Sequence, residues 1–360
     1  MSLELVLLLA LALVLFAAVG PRARAEDRLS FHPGRLGAAA GHDLAARLTA
    51  SERQVPDLRP ALFKEIIWQA PDTPARTEWA VIYVHGFSAS KEELRPLPDR
   101  IAETLGANLF LTRLAGHGRT RAAMAEPSAD DWLDDMAEAV EVGRRIGRKV
   151  LVIGNSTGAT LATWAALRPD LGRQIDALVL ISPNYEVIAN GSFFLTLPWV
   201  RTILNRLYPT MRACREAYPC ADHDWSEQYP TEALLPMAAA VRHVQSLPLD
   251  EARQPVLFIH SPVDQVISPT HVVSAHESWG CPVKDRLEIV DSEDPYHHTL
   301  AGRIISPSTT EPLVHDILSW IEALPEVIPE PVGDRSRNRS GRGRDGGIGG
   351  SVDDTILAEA

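Results

Sequence analysis

The sequence predicts an α/β protein: a doubly wound, mostly parallel sheet flanked by helices, with a helical cap inserted late in the chain. Three observations lead there. Between about 63 and 324, short β-rich runs alternate with helical patterns. The central runs are apolar without alternation, as strands covered on both faces must be. Residues 184–250 then break the rhythm, with no convincing strand over a length too great for a structureless loop.

The strands are expected, in order, at 66–69, 80–84, 108–112, 149–153, 177–181, 256–260 and 286–290. Helical patterns fall at 91–105, 130–146, 157–167, 269–278 and 311–323. Strand–helix alternation of this kind implies crossovers and a parallel sheet. The insertion carries Phe193, Phe194, Leu195, Leu197, Trp199, Ile203, Leu204, Leu207 and Tyr208. That content suits an acyl pocket, and equally suits plain packing of a cap on a core.

The 360 residues are 45% apolar and 23% charged, ordinary values for a globular chain. A net charge of −12 argues against a nucleic-acid binder, which would present a basic patch. Three cysteines argue against a disulfide scaffold and a Cys-rich zinc site. Cys214 and Cys220 are close enough to pair if the chain is exported. No cofactor or metal is expected.

The two ends differ from the middle. Residues 5–19 are an unbroken apolar run, followed by Arg22 and Arg24. One reading is a signal peptide, with Ala23-Arg24-Ala25 as the cleavage site. Against it, no Lys or Arg precedes the run, and Glu4 stands where positive charge is expected. The other reading is an uncleaved anchor, short for a full span unless Ser2 and Leu3 join it, whose following arginines favour a cytoplasmic main domain. Membrane association through this segment is therefore expected, with periplasmic or secreted release after cleavage as the alternative. The domain division is then 1–25 for targeting, 26–331 for the α/β domain with its cap at about 184–250, and 332–360 as a disordered Arg/Gly-rich tail.

The chemistry gathers on loops after strands. Gly154-Asn155-Ser156-Thr157-Gly158 matches G-x-S-x-G, a weak motif alone. Here it directly follows the strand at 149–153 and opens an Ala- and Leu-rich helix, the strand–turn–helix setting of a nucleophile elbow. A serine hydroxyl needs a base to take its proton, and the base needs an orienting acid. Asp264, just past the strand at 256–260, supplies the acid. Asp291 and Asp294 are rivals on the histidine loop. That loop holds His297 and His298, of which His298 is preferred as base and His297 is given the rim. His260, His271 and His276 precede the last strand and are less suited. An oxyanion hole needs two donors: the Thr157 N–H after the nucleophile, and the Phe87 N–H in His85-Gly86-Phe87-Ser88 after the strand at 80–84.

Together with Leu114-Ala115-Gly116-His117-Gly118 and Asp131-Trp132, these motifs resemble the α/β-hydrolase superfamily, most closely its carboxylesterase and monoglyceride-lipase-like branch. They span about 80 to 300. The resemblance implies Ser156, Asp264 and His298 as a catalytic triad and Phe87 and Thr157 as oxyanion donors. His298-Thr299-Leu300 fits the branch better than His297-His298 does. Thr157 departs from the bulkier residue that relatives often carry, which alters pocket shape and not the backbone donor. The expected activity is two-step hydrolysis of a small carboxylic ester or lipid through an acyl-enzyme. Rival readings are a serine peptidase or amidase acting on small substrates, and a non-catalytic binding protein of the same fold. A dehalogenase would need Asp in place of Ser156.

Overall fold

The computed structural model describes residues 3–189, 192–207, 210–212 and 228–326. Cys214, Cys220, Tyr208 and the tail at 332–360 lie outside the described residues.

Helices α1 (Leu3–Val19) and α2 (Gly41–Glu52) precede the sheet. Strands β1 (Glu65–Ile67) and β2 (Thr77–Val84), helix α3 (Leu97–Thr104), β3 (Asn108–Leu111), α4 (Ala129–Ile146) and β4 (Gly147–Asn155) follow. Next come α5 (Thr157–Leu167), the single turn α6 (Pro169–Gly172) and β5 (Ala177–Ile181). The insertion contains α7 (Val200–Leu207), β6 (Thr210–Arg212), β7 (Gln228–Pro230) and α8 (Leu234–Gln245). The chain returns through β8 (Val256–His260), α9 (Pro269–Ser278), β9 (Lys284–Glu288) and α10 (Pro307–Glu322).

The main sheet runs β1-β3-β2-β4-β5-β8-β9. Every neighbouring pair is parallel except β1 with β3. The strands buried on both faces are those that read as continuous apolar runs. On β2, Ala80, Ile82 and Val84 enter one core cluster with Trp132 and Trp164, while Val81 and Tyr83 enter the other with Ile101 and Ile317. This alternation is the two-residue period of a strand with a helix layer on each side. From β2 the chain steps one way to β3 and the other way to β4, so the sheet order reverses there. The crevice at such a reversal, at the carboxyl ends of the strands, is where this architecture places its ligands.

Beyond shifts of a few residues at element ends, three differences from expectation stand out. Helix α3 starts at Leu97, because Pro96 and Pro98 frame its first turn and residues 91–96 form turns instead. Helix α2 was not anticipated; Leu44 and Leu48 bury its inner face, and Glu52 at its end holds Arg113 at 2.7 Å. The insertion is not wholly helical: β6 and β7 pair as a short antiparallel ribbon. Three-residue strands leave too little alternation to read from sequence.

The expected membrane anchor is overturned. Among the described residues, no helix is long and apolar enough to cross a membrane. Helix α1 has 17 residues, a rise of about 25 Å against a hydrocarbon core of about 30 Å. The Phe16 ring stacks on Trp199 of the insertion at 4.5 Å, and the Trp199 indole donates to the Phe16 carbonyl at 2.9 Å. Beyond α1 the chain is built into the fold. The Asp27 carboxylate accepts from the Trp164 indole at 3.0 Å and from Arg168 at 2.7 Å. The Asp27 N–H in turn donates to Asp130 on α4.

Candidate active site

Strand β4 ends at Asn155, and Ser156 makes the turn into α5 with φ +51° and ψ −115°, a strained conformation for a residue with a Cβ. The turn is forced from both sides. A Cβ on Gly158 would lie 2.1 Å from the Val84 carbonyl, and one on Gly154 would lie 2.7 Å from the Ala159 backbone. Only glycine at both positions lets the helix start this close to the sheet. The Ser156 N–H is anchored to the Ile181 carbonyl at 2.9 Å.

Asp264 follows β8 and is almost fully buried. Its Oδ1 accepts from the Val266 and Ile267 N–H groups at 2.7 and 2.9 Å, which leaves Oδ2 free to accept from His298 Nδ1 at 2.8 Å. His298 Nε2 faces Ser156 Oγ at 3.1 Å. Burial alone would lower the His298 pKa, but the charge and hydrogen bond of Asp264 outweigh it and hold the pKa above the ordinary 6.5. The structure therefore brings Ser156, Asp264 and His298 into one hydrogen-bonded chain.

His297 is not part of it. Its φ of +53° turns the backbone between the two adjacent histidines, so that only His298 reaches the serine. Asp294 has a different place from that of a rival acid. Its Oδ2 accepts from the His298 and Thr299 N–H groups at 3.0 and 2.7 Å, and its Oδ1 from the Tyr296 N–H at 2.9 Å. It fixes the loop backbone, while Asp264 fixes the ring.

Phe87 leaves β2 beside the elbow, with its ring edge-on to Tyr229 of the ribbon at 5.0 Å. Among the described residues, neither the Phe87 N–H nor the Thr157 N–H makes a hydrogen bond, although their neighbours do. Two free amides flanking a buried serine can hold an oxyanion. The His85 ring points away from the serine: its Nδ1–H donates to the Gly86 carbonyl at 2.9 Å and its Nε2 accepts from the Leu114 N–H at 3.1 Å. Burial lowers its pKa to about 4, so it stays a neutral strut between two loops.

With this geometry in view, residues 75–301 match the family model described as serine aminopeptidase, S33. The chain belongs to the S33 serine aminopeptidase family. As an S33 member it is an α/β hydrolase, and solved structures agree on the fold. It is similar to a structure reported for LipS and LipT, two metagenome-derived lipolytic enzymes, with a TM-score of 0.58 and 20% identity over 74% of this chain and 99% of that one. It is also similar to a monoacylglycerol lipase from Paleococcus ferrophilus, with a TM-score of 0.55 and 15% identity over 72% and 98%. A soluble variant of the Saccharomyces cerevisiae monoglyceride lipase gives 0.55 and 12% over 72% and 90%. No curated protein sequence matches the chain.

Two side chains of this S33 member were given no role from sequence. Glu93 and His117 both hydrogen-bond the loop that carries Phe87. His117 was visible only as part of a family motif. Glu93 sits in a segment that reads as the start of a helix, and nothing there points to Ser156.

Proposed function

We propose that the chain is a serine hydrolase that cleaves carboxylic esters through an acyl-enzyme. The observation that supports it is the chain from Ser156 Oγ to His298 Nε2 at 3.1 Å and from His298 Nδ1 to Asp264 at 2.8 Å. In this reading His298 takes the Ser156 proton as Oγ attacks the ester carbonyl. The Phe87 and Thr157 N–H groups stabilise the oxyanion. The proton then passes to the leaving alcohol, and water, activated by the same histidine, releases the acid. Asp264 holds the tautomer that leaves Nε2 able to accept.

An aliphatic acyl or monoacylglycerol-type substrate is the preferred class, in keeping with the lipolytic enzymes of similar fold. The family description favours a second reading, hydrolysis of an aminoacyl amide by the same residues. Parallel assays on p-nitrophenyl esters of graded chain length and on aminoacyl p-nitroanilides separate the two. A non-catalytic binding protein would not need an intact nucleophile, base and acid. The direct test is labelling by a fluorophosphonate. Ser156→Ala should abolish labelling and lower kcat by about 10⁶. Labelling that persists would defeat the assignment.

A further inference from the structure

We propose that Glu93 and His117 are positioning residues that grip the loop on either side of Phe87 and so aim its N–H at the developing oxyanion. This rests on the reading of Ser156 as nucleophile.

The loop offers three consecutive N–H groups. The Gly86 N–H donates to Glu93 Oε2 at 2.8 Å, and the Ser88 N–H donates to His117 Nε2 at 3.0 Å. The Phe87 N–H between them is the one left unused among the described residues. Its direction is therefore set by what holds its two neighbours. The loop needs holding, because Ser88 has φ +61°, which a residue with a Cβ adopts only when its surroundings over-determine it.

Both grips are buried. Glu93 is 5% exposed and His117 is inaccessible. The Tyr83 hydroxyl donates to the same Glu93 Oε2 at 2.9 Å and fixes the carboxyl against β2. The fully buried Asn155 amide also helps to hold the Glu93 carboxyl pKa down. A Cβ on Gly86 would lie 2.9 Å from Glu93 Oε1 and 3.2 Å from Ser156 Cβ. Carboxyl, loop and nucleophile thus share one packed layer. On the other side, His117 Nδ1–H donates to the Ala115 carbonyl at 3.1 Å, which leaves Nε2 as a bare acceptor. Its ring packs against His85, Phe87 and Trp132.

His117 can accept only while neutral. Burial pushes its pKa well below 6.5, and the facing His85 and Arg113 oppose a further positive charge. Burial likewise pushes the Glu93 carboxyl up, while the Gly86 N–H, Asn155, Tyr83 and the facing His298 pull it down. Its neighbour Glu92 is turned outward to Arg95 and Arg303. The role that Glu93 plays toward the Gly86 N–H is that of an acceptor oxygen, which an amide also offers. Glutamine should therefore replace Glu93, and its amide oxygen should stand in for His117 Nε2.

The test compares Glu93→Ala, Glu93→Gln, His117→Phe and His117→Gln on a p-nitrophenyl ester and on an alkyl trifluoromethyl ketone. With the ketone, Ser156 Oγ adds to the carbonyl carbon, the serine proton passes to His298, and the carbonyl oxygen becomes a held oxyanion. Loss of either grip should lower kcat about 10–100-fold, part of the 10²–10³ carried by one donor, with KM little changed. Ketone affinity should weaken by the same factor. Both glutamine variants should recover kcat and ketone affinity to within about threefold of wild type. The proposal is overturned if Glu93→Ala and His117→Phe keep kcat and ketone affinity. It is also overturned if the glutamine variants fare no better than their partners, or if losses track thermal stability and KM without ketone affinity. Fluorophosphonate labelling at a residue other than Ser156 overturns both this and the underlying reading. Labelling at Ser156 with unaffected loop variants overturns this alone.

Discussion

Replacing Asp264 by Asn tests the site at the group that touches no substrate. The carboxylate is fully engaged: Oδ1 holds the Val266 and Ile267 N–H groups and Oδ2 holds His298 Nδ1–H. Asparagine keeps the shape but has one oxygen. If that oxygen faced His298, the amide NH₂ would confront two buried N–H donors, at a cost of about 1–3 kcal/mol for each lost partner. The oxygen therefore stays with the two backbone groups, and the NH₂ points at His298 Nδ1. Two donors cannot share that contact, so the imidazole moves its proton to Nε2, the nitrogen that faces Ser156. The base is then occupied by its own proton. The serine-protease precedent for such a tautomer change is a fall of about 10⁴ in kcat, or about 5 kcal/mol in barrier. The assay is steady-state hydrolysis of a p-nitrophenyl ester, with thermal unfolding and circular dichroism to show an intact fold. A variant that keeps kcat within about tenfold of wild type would refute the triad geometry as the source of catalysis.

Other outcomes follow from the same structure. Because His298 must be neutral to accept a proton and its pKa is raised above 6.5, the acidic limb of kcat/KM should lie above that value. Activity is then lost as pH falls through the raised pKa, and a limb at or below 6.5 in a pH–rate profile would contradict the reading. Gly158→Ala places a methyl 2.1 Å from the Val84 carbonyl. It should destabilise the fold by about 1–3 kcal/mol or more and displace the elbow, seen as a lower Tm and slower labelling of Ser156. Lys64→Met leaves Asp135 and Glu138, now 3.1 and 2.6 Å from the Lys64 ammonium, without their shared cation. Urea unfolding should show a loss of about 3–5 kcal/mol, and an unchanged midpoint would mean the pair is solvated after all.

Much of the sheet could be read in advance because burial on both faces leaves a residue-level mark. Helix α5 starts at Thr157 and ends at Leu167 as its Ala- and Leu-rich pattern suggests, and Asp264 lies just past a strand whose bounds are plain. The sequence resisted where position depends on a single backbone angle or on contacts across the chain. The adjacent His297 and His298 are chemically alike, and the positive φ at His297 that separates them has no sequence signature. Asp294 looked like a second acid because its proximity to the histidines was visible, while its three bonds to backbone N–H groups were not. The apolar run at the N-terminus has the composition of a spanning helix but is short for one already in the sequence, and among the described residues no helix is long and apolar enough to cross a membrane.

The segment ahead of β2 bears on where the working protein begins. The family match opens at residue 75, but Glu52 supplies the carboxylate for the buried Arg113, and Lys64 supplies the cation for Asp135 and Glu138. Asp27 reaches further still, to Trp164 on the helix that follows Ser156. Shared ancestry and mechanical independence thus have different borders in this chain. An expression product trimmed to the homologous stretch would keep Ser156, Asp264 and His298 while leaving Arg113, Asp135 and Glu138 without these partners.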